Sequence, residues 1–120
     1  MCDFSELLGK TIEKIDVGEY EIRIECSDGS KYIMYHYQNC CETVYVESVV
    51  GDVTDLIGTP ILLAEASTSD ENPEGVDMKY QDSFQWTFYK LATIKGYVDI
   101  RWYGNSNGWY SVEVRFERND

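Results

Sequence analysis

Tyr20 to Ser27 and Ser30 to Gln38 both alternate apolar and polar residues, and they meet at Asp28-Gly29. A pair of such runs around Asp-Gly is a strong short-range signal for a β-hairpin, because Asp-Gly accommodates the positive φ of a type I′ turn. A tight turn there sets the pairing. Cys26 faces Lys31, Ile24 faces Ile33, Ile22 faces Tyr35 and Tyr20 faces Tyr37. Arg23, Glu25, Tyr32, Met34 and His36 then occupy the opposite face, since side chains alternate along a strand.

The rest of the chain is read outward from this hairpin. Asp3 to Gly9 reads as a short capped helix, with Asp3 or Ser5 at its start and Gly9 at its exit, and Thr11 to Val17 follows as a strand. Glu6-Leu7-Leu8-Gly9-Lys10-Thr11-Ile12 returns 49 residues later as Asp55-Leu56-Ile57-Gly58-Thr59-Pro60-Ile61, which predicts two similar corners in one fold. Thr43 to Val50, Ile61 to Ala66, Phe84 to Tyr89, Tyr97 to Tyr103 and Tyr110 to Phe116 supply further strands. Ser67 to Asp82 is acidic, carries Pro73 and Gly75, and reads as a solvated loop. The expected fold is α+β and mainly antiparallel: one bent sheet or a partly closed sandwich, with one or two short helices at its corners.

A chain of 120 residues makes one domain, taken here as residues 1–120. With 43% hydrophobic and 14% aromatic residues it has the means to build a core. No stretch reaches the roughly 18 apolar residues of a membrane helix, and Met1-Cys2-Asp3-Phe4 starts no signal peptide. A cytosolic protein is therefore expected. In a reducing compartment its four cysteines are free thiols or metal ligands rather than a disulfide framework. The 22 acids outnumber the 10 bases, giving a net charge of -12. That balance argues against direct nucleic-acid binding, where Lys and Arg must neutralise phosphates, and favours contact with basic protein surfaces.

Chemistry concentrates in His36-Tyr37-Gln38-Asn39-Cys40-Cys41-Glu42, which holds the single histidine. Three readings stand side by side. His36 with Cys40 or Cys41 is an acceptable local clamp for zinc, which prefers N and S ligands in a tetrahedron. Adjacent cysteines make a poor redox pair, with nothing basic nearby to lower a thiol pKa. A half-buried histidine beside inert thiols is the third reading. Cys26, at the far end of the hairpin, reads as a small core residue, and Cys2, Glu42, Glu65 or a water are candidates to complete a metal site. No nucleophile elbow, phosphate loop or carboxylate pair appears, so no enzyme is expected. Tyr103 and Trp109, flanking Gly104 to Gly108, are expected to form an exposed aromatic edge suited to a partner.

His36 to Glu42, Gly51 to Leu62 and Trp86 to Gly108 resemble a group of small phage and prophage proteins of unknown function. One branch of that group is an anti-CRISPR protein of streptococcal prophages that inhibits type II Cas9. The resemblance runs from about Lys31 to Phe116. It implies a zinc protein of the bacterial host cytoplasm, with His36, Cys40 and Cys41 around a structural Zn2+. It also implies inhibition of Cas9, alone or with its guide RNA, by binding the recognition lobe and keeping target DNA from loading. Cas9 holds its heteroduplex in a positively charged channel, and an acidic protein is suited to docking near it. Asp70, Glu71, Glu74 and Asp77 join Tyr103 and Trp109 as expected partner contacts. The alternative is an acidic phage interaction module for another basic host protein.

Overall fold

The computed structural model describes residues 3–38, 41–69, 83–106 and 111–119, with Ser83 described in its backbone only. Eight strands run in chain order: β1 (Ile12–Val17), β2 (Glu21–Cys26), β3 (Lys31–Tyr35), β4 (Thr43–Val50), β5 (Leu63–Ser69), β6 (Ser83–Thr93), β7 (Gly96–Ser106) and β8 (Arg115–Arg118). They form two antiparallel four-stranded sheets, ordered β1-β2-β3-β8 and β4-β7-β6-β5.

The expected α+β class is wrong: among the described residues the fold is all-β. The two predicted corner helices are 3-10 turns of four residues each, Phe4–Leu7 and Val53–Leu56. Each is too short to repay the cost of nucleating an α-helix, and each soon meets a glycine at positive φ, Gly9 at 82° and Gly58 at 91°. β5 extends to Ser69, so Ser67 to Ser69 are strand rather than loop. The remainder of the predicted acidic loop lies outside the described residues.

The repeat seen in the sequence extends to the topology. Each half of the chain runs through one 3-10 turn and four strands. Strands β1-β2-β3 and β5-β6-β7 are matching meanders, and the fourth strand of each half crosses to the other half's sheet: β4 pairs β7 and β8 pairs β3. The corners clasp symmetrically. Gly9 N donates to Ile61 O at 2.9 Å, and Gly58 N donates to Ile12 O at 3.0 Å; adding 49 to the first pair's Gly9 and to the second pair's Ile12 interchanges them. Asp3 and Asp52 cap equivalent turns through Ser5 N (3.1 Å) and Thr54 N (3.0 Å). Leu7, Leu56 and Ile12 are fully buried and Ile61 nearly so.

The hairpin register differs from expectation by one residue. Ile24 pairs with Tyr32 and Ile22 with Met34, not with Ile33 and Tyr35; Glu25, not Cys26, faces Lys31. The predicted Tyr20–Tyr37 pair lies beyond the ladder. The loop holds three residues, Ser27-Asp28-Gly29, between Cys26 N donating to Ser30 O (2.9 Å) and Gly29 N donating to Cys26 O (3.1 Å). Gly29 sits at φ 91°, the arrangement of a type I turn followed by a bulge glycine. A one-residue slip turns every side chain of one strand to the other face. Tyr32 and Met34 are therefore buried with Ile22, Ile24 and Cys26, and His36 follows them inward.

Asp28 explains the choice of loop. Its carboxylate accepts from Ser30 N at 2.9 Å and from the Ser30 hydroxyl, and pairs with Lys10 Nζ at 2.7 Å. The Lys10 ammonium, with Ser30's help, holds the Asp28 carboxyl well below the usual carboxylate range. A depressed folded pKa contributes stability that is present above the unfolded value of about 4 and lost as pH falls through the folded one. Asp28→Asn should therefore lose less of its urea midpoint than the parent between about pH 6 and pH 2.

Both sheets bury side chains in one core. Trp102 and Ile100 contribute from β7, Leu91 and Tyr89 from β6, and Ile22, Ile24 and Met34 from the hairpin. An aromatic column bridges the sheets: Tyr89 to Phe4 (4.7 Å between centroids), Phe4 to Phe116 (5.0 Å) and Phe116 stacked on Tyr32 (5.1 Å).

Candidate functional site

His36 to Glu42 is the crossing by which the first half of the chain leaves β3 and enters β4 in the other sheet. The segment before β8 makes the return crossing, and the two meet at the imidazole. His36 Nδ1 lies 2.7 Å from Glu113 O, and His36 Nε2 lies 2.9 Å from Glu42 Oε2. Gln38 Nε2 donates to Glu42 O at 2.7 Å and to Glu42 Oε1 at 3.1 Å. The His36 side chain is 5% exposed and that of Glu42 is fully buried.

Donor and acceptor roles follow from the partners. A backbone carbonyl only accepts, so Nδ1 carries a proton. A second proton lies between Nε2 and the Glu42 carboxylate, whose other oxygen is already an acceptor for Gln38. One side of the ring thus ties the two crossings together through Glu113 O, and the other is held within its own crossing by Glu42. Such buried networks are stabilising when every member is satisfied.

The predicted zinc ligands are placed as follows. His36 has no nitrogen left for a metal while both bonds stand. Cys41 is exposed and disulfide-bonded, so it has no thiolate to offer, which departs from the expectation of four reduced cysteines. Cys40 lies outside the described residues. Cys26 is a free thiol buried in the core, as expected, and burial pushes its pKa up. Among the described residues no three His, Cys, Asp or Glu side chains are grouped to hold a metal. Among the described residues, the donors as placed do not fit a zinc ion while His36 keeps both bonds and Cys41 its disulfide.

Of the expected partner contacts, Tyr103 is 4% exposed. It packs against Trp86 (4.7 Å between centroids) and Tyr45 (5.9 Å) on the outer face of the β4-β7-β6-β5 sheet, so it is no exposed edge. The pairing of β4, β7 and β6 gives one row of cross-strand neighbours, Tyr45, Tyr103 and Trp86, which pack on one another. Arg101 covers Trp86 at 4.8 Å and pairs with Glu47 at 2.6 Å. Asp70, Glu71, Glu74, Asp77 and Trp109 lie outside the described residues. Sequence reading missed Gln38, which holds the histidine's partner Glu42, and Glu113, whose carbonyl meets the imidazole. Gln38 had a signal, two residues along the same alternating face, whereas the Glu113 contact is made by a carbonyl and leaves no trace in residue type.

The basic side chains are largely consumed within the protein. Lys10, Lys14, Arg23, Lys31, Arg101 and Arg115 each hold a carboxylate of the same chain. The surplus of 12 acids over bases is left to set the character of the surface.

The fold and crossing together define an all-β protein of two interlocked halves, tied at a buried histidine and carrying an acidic surface. The chain belongs to the family described as a domain of unknown function, DUF7448, whose model matches residues 5–116. No curated protein and no solved structure matches it. Among the described residues no helix is long and apolar enough to cross a membrane.

Proposed function

We propose that this protein works without catalysis, as an acidic β module that docks on a basic surface of another protein. The carrying observation is the charge: six of the ten bases, all among the described residues, are held by the chain's own acids while the net charge stays at -12. Such a field steers association with positive grooves. The crossing supports the non-enzymatic part, since its imidazole is spent on Glu42 and Glu113.

The narrower form of the reading is a phage inhibitor of type II Cas9 that binds the recognition lobe and blocks target DNA loading in the host cytoplasm. It rests on the motif resemblance together with the charge. Zinc enters this form only through the resemblance. Excess protein added to a Cas9–guide complex should abolish target binding in a mobility-shift assay, and higher salt should weaken the effect. Undiminished DNA binding and cleavage would discard Cas9 as the partner.

A further inference from the structure

The four sheet edges are not equally guarded. Exposed edges carry unpaired backbone groups and are normally blunted by bulges, charges or short length. β1 has a register break between Ile12 and Lys14 and carries Glu13, Lys14 and Asp16. β4 has a break between Val46 and Ser48, and Val46 N is already bonded to Glu19 O at 2.7 Å. β8 is four residues long, three of them charged. β5 differs. It pairs with β6 in unbroken register over seven residues, and Glu65 is its only charge. Glu65 to Thr68 are exposed, and among the described residues no main-chain hydrogen bond leaves them except to β6. β1, the equivalent strand of the first half, shows that the same position can be protected.

Beside this edge lies a groove of about 300 Å³ between the sheets. Ala66 and Thr68 of β5 and Thr87 of β6 line one side, and Glu113, Val114 and Phe116 the other. Glu113 lines it together with Tyr89, whose hydroxyl pKa is pushed up by burial first and then by the charge of Glu113. Glu113 is exposed and makes no ion pair among the described residues.

We infer that β5 and this groove take an extended basic peptide, added to the sheet as a further strand. Main-chain bonds to the outward groups of Glu65–Thr68 supply the pairing, and alternate side chains enter the groove, as in other strand-addition sites. Glu113 selects a lysine or arginine there, and Glu65 reinforces the preference. The inference rests on the acidic-module reading and gives it a surface.

The probe is an octapeptide alternating valine and lysine, with a valine–glutamate octapeptide as control. Each is titrated into the 15N-labelled full chain. Amide shifts with the lysine peptide should centre on residues 63–69 and 113–116, and the glutamate peptide should give none. Ala66→Lys and Glu113→Lys should each weaken binding about tenfold or more, while Glu13→Lys, on the guarded edge, should not. Spectra of the free variants verify folding. Salt-sensitive binding mapped to another face, unaltered by Ala66→Lys, overturns this inference and leaves the acidic module standing. No binding of the lysine peptide at any face counts against both, and self-association through β5 without peptide replaces the peptide with a second copy.

Discussion

Glu42→Ala is expected to cost about 3 to 5 kcal/mol, the usual effect of removing one member of a buried, hydrogen-bonded charge pair. Its side chain is fully buried, and it satisfies His36 Nε2 at 2.9 Å and Gln38 Nε2 at 3.1 Å. Deleting it leaves His36 Nε2 buried without an acceptor, while Gln38 keeps its bond to the main-chain carbonyl of residue 42, and the desolvation of the imidazole dominates over the lost attraction. Thermal unfolding should fall by roughly 12 to 20 °C in a chain of this size. His36→Ala should be milder, because Glu42 keeps Gln38 as a donor. The double variant should cost less than the sum of the two, since each deletion alone strands what the other removes. Additive losses in that cycle would mean that Glu42 does not hold the imidazole in place.

Leu7→Ala and Leu56→Ala should each cost about 2 to 5 kcal/mol, with similar values for the two. Both are fully buried, at equivalent places in the two clasped corners. A large-to-small change there removes the transfer energy of the side chain and leaves a cavity that a clasped turn cannot readily close. Leu8→Ala and Leu62→Ala, 48% and 64% exposed, should fall within about 0.5 kcal/mol of the parent. Denaturant unfolding of the four variants tests whether the repeat is a structural equivalence or only a likeness in letters. A large effect at one leucine and a small one at the other would break the equivalence.

Much of the architecture was legible because alternation reports strands directly and glycine placement reports corners. Each predicted strand overlaps an observed one or runs up to it, and the 49-residue repeat marked the clasp that joins the halves. Helix was over-read at the corners, where Asp3 and Gly9 bracket too few residues for an α-turn to propagate. The hairpin register slipped because Asp-Gly serves two loop lengths. Asp28's local bond to Ser30 supports the longer one, and its ion pair with Lys10 is a tertiary contact invisible to a turn rule. The exchange of β4 and β8 could not be read from pattern, since an alternating strand suits either sheet equally. The same limit governs the crossing. His36 beside two cysteines has the residue types of a metal site, and the contacts that commit the imidazole come from Glu42 across a turn and from a carbonyl 77 residues away. Tyr103 shows the converse error: flanking a glycine-rich loop suggested exposure, whereas its row of aromatic neighbours buries it.

That His36, held by Glu42 and the Glu113 carbonyl, is a hydrogen-bonded tie whose ring nitrogens are closed to zinc is tested most directly by a side-chain 15N–1H spectrum of His36. It should be recorded before and after adding one equivalent of zinc, and again with chelator. A proton fixed on Nδ1, an Nε2 resonance coupled to the Glu42 contact, and no change with either addition are the predicted result. A chelator-reversible displacement of a ring nitrogen on adding zinc would contradict it.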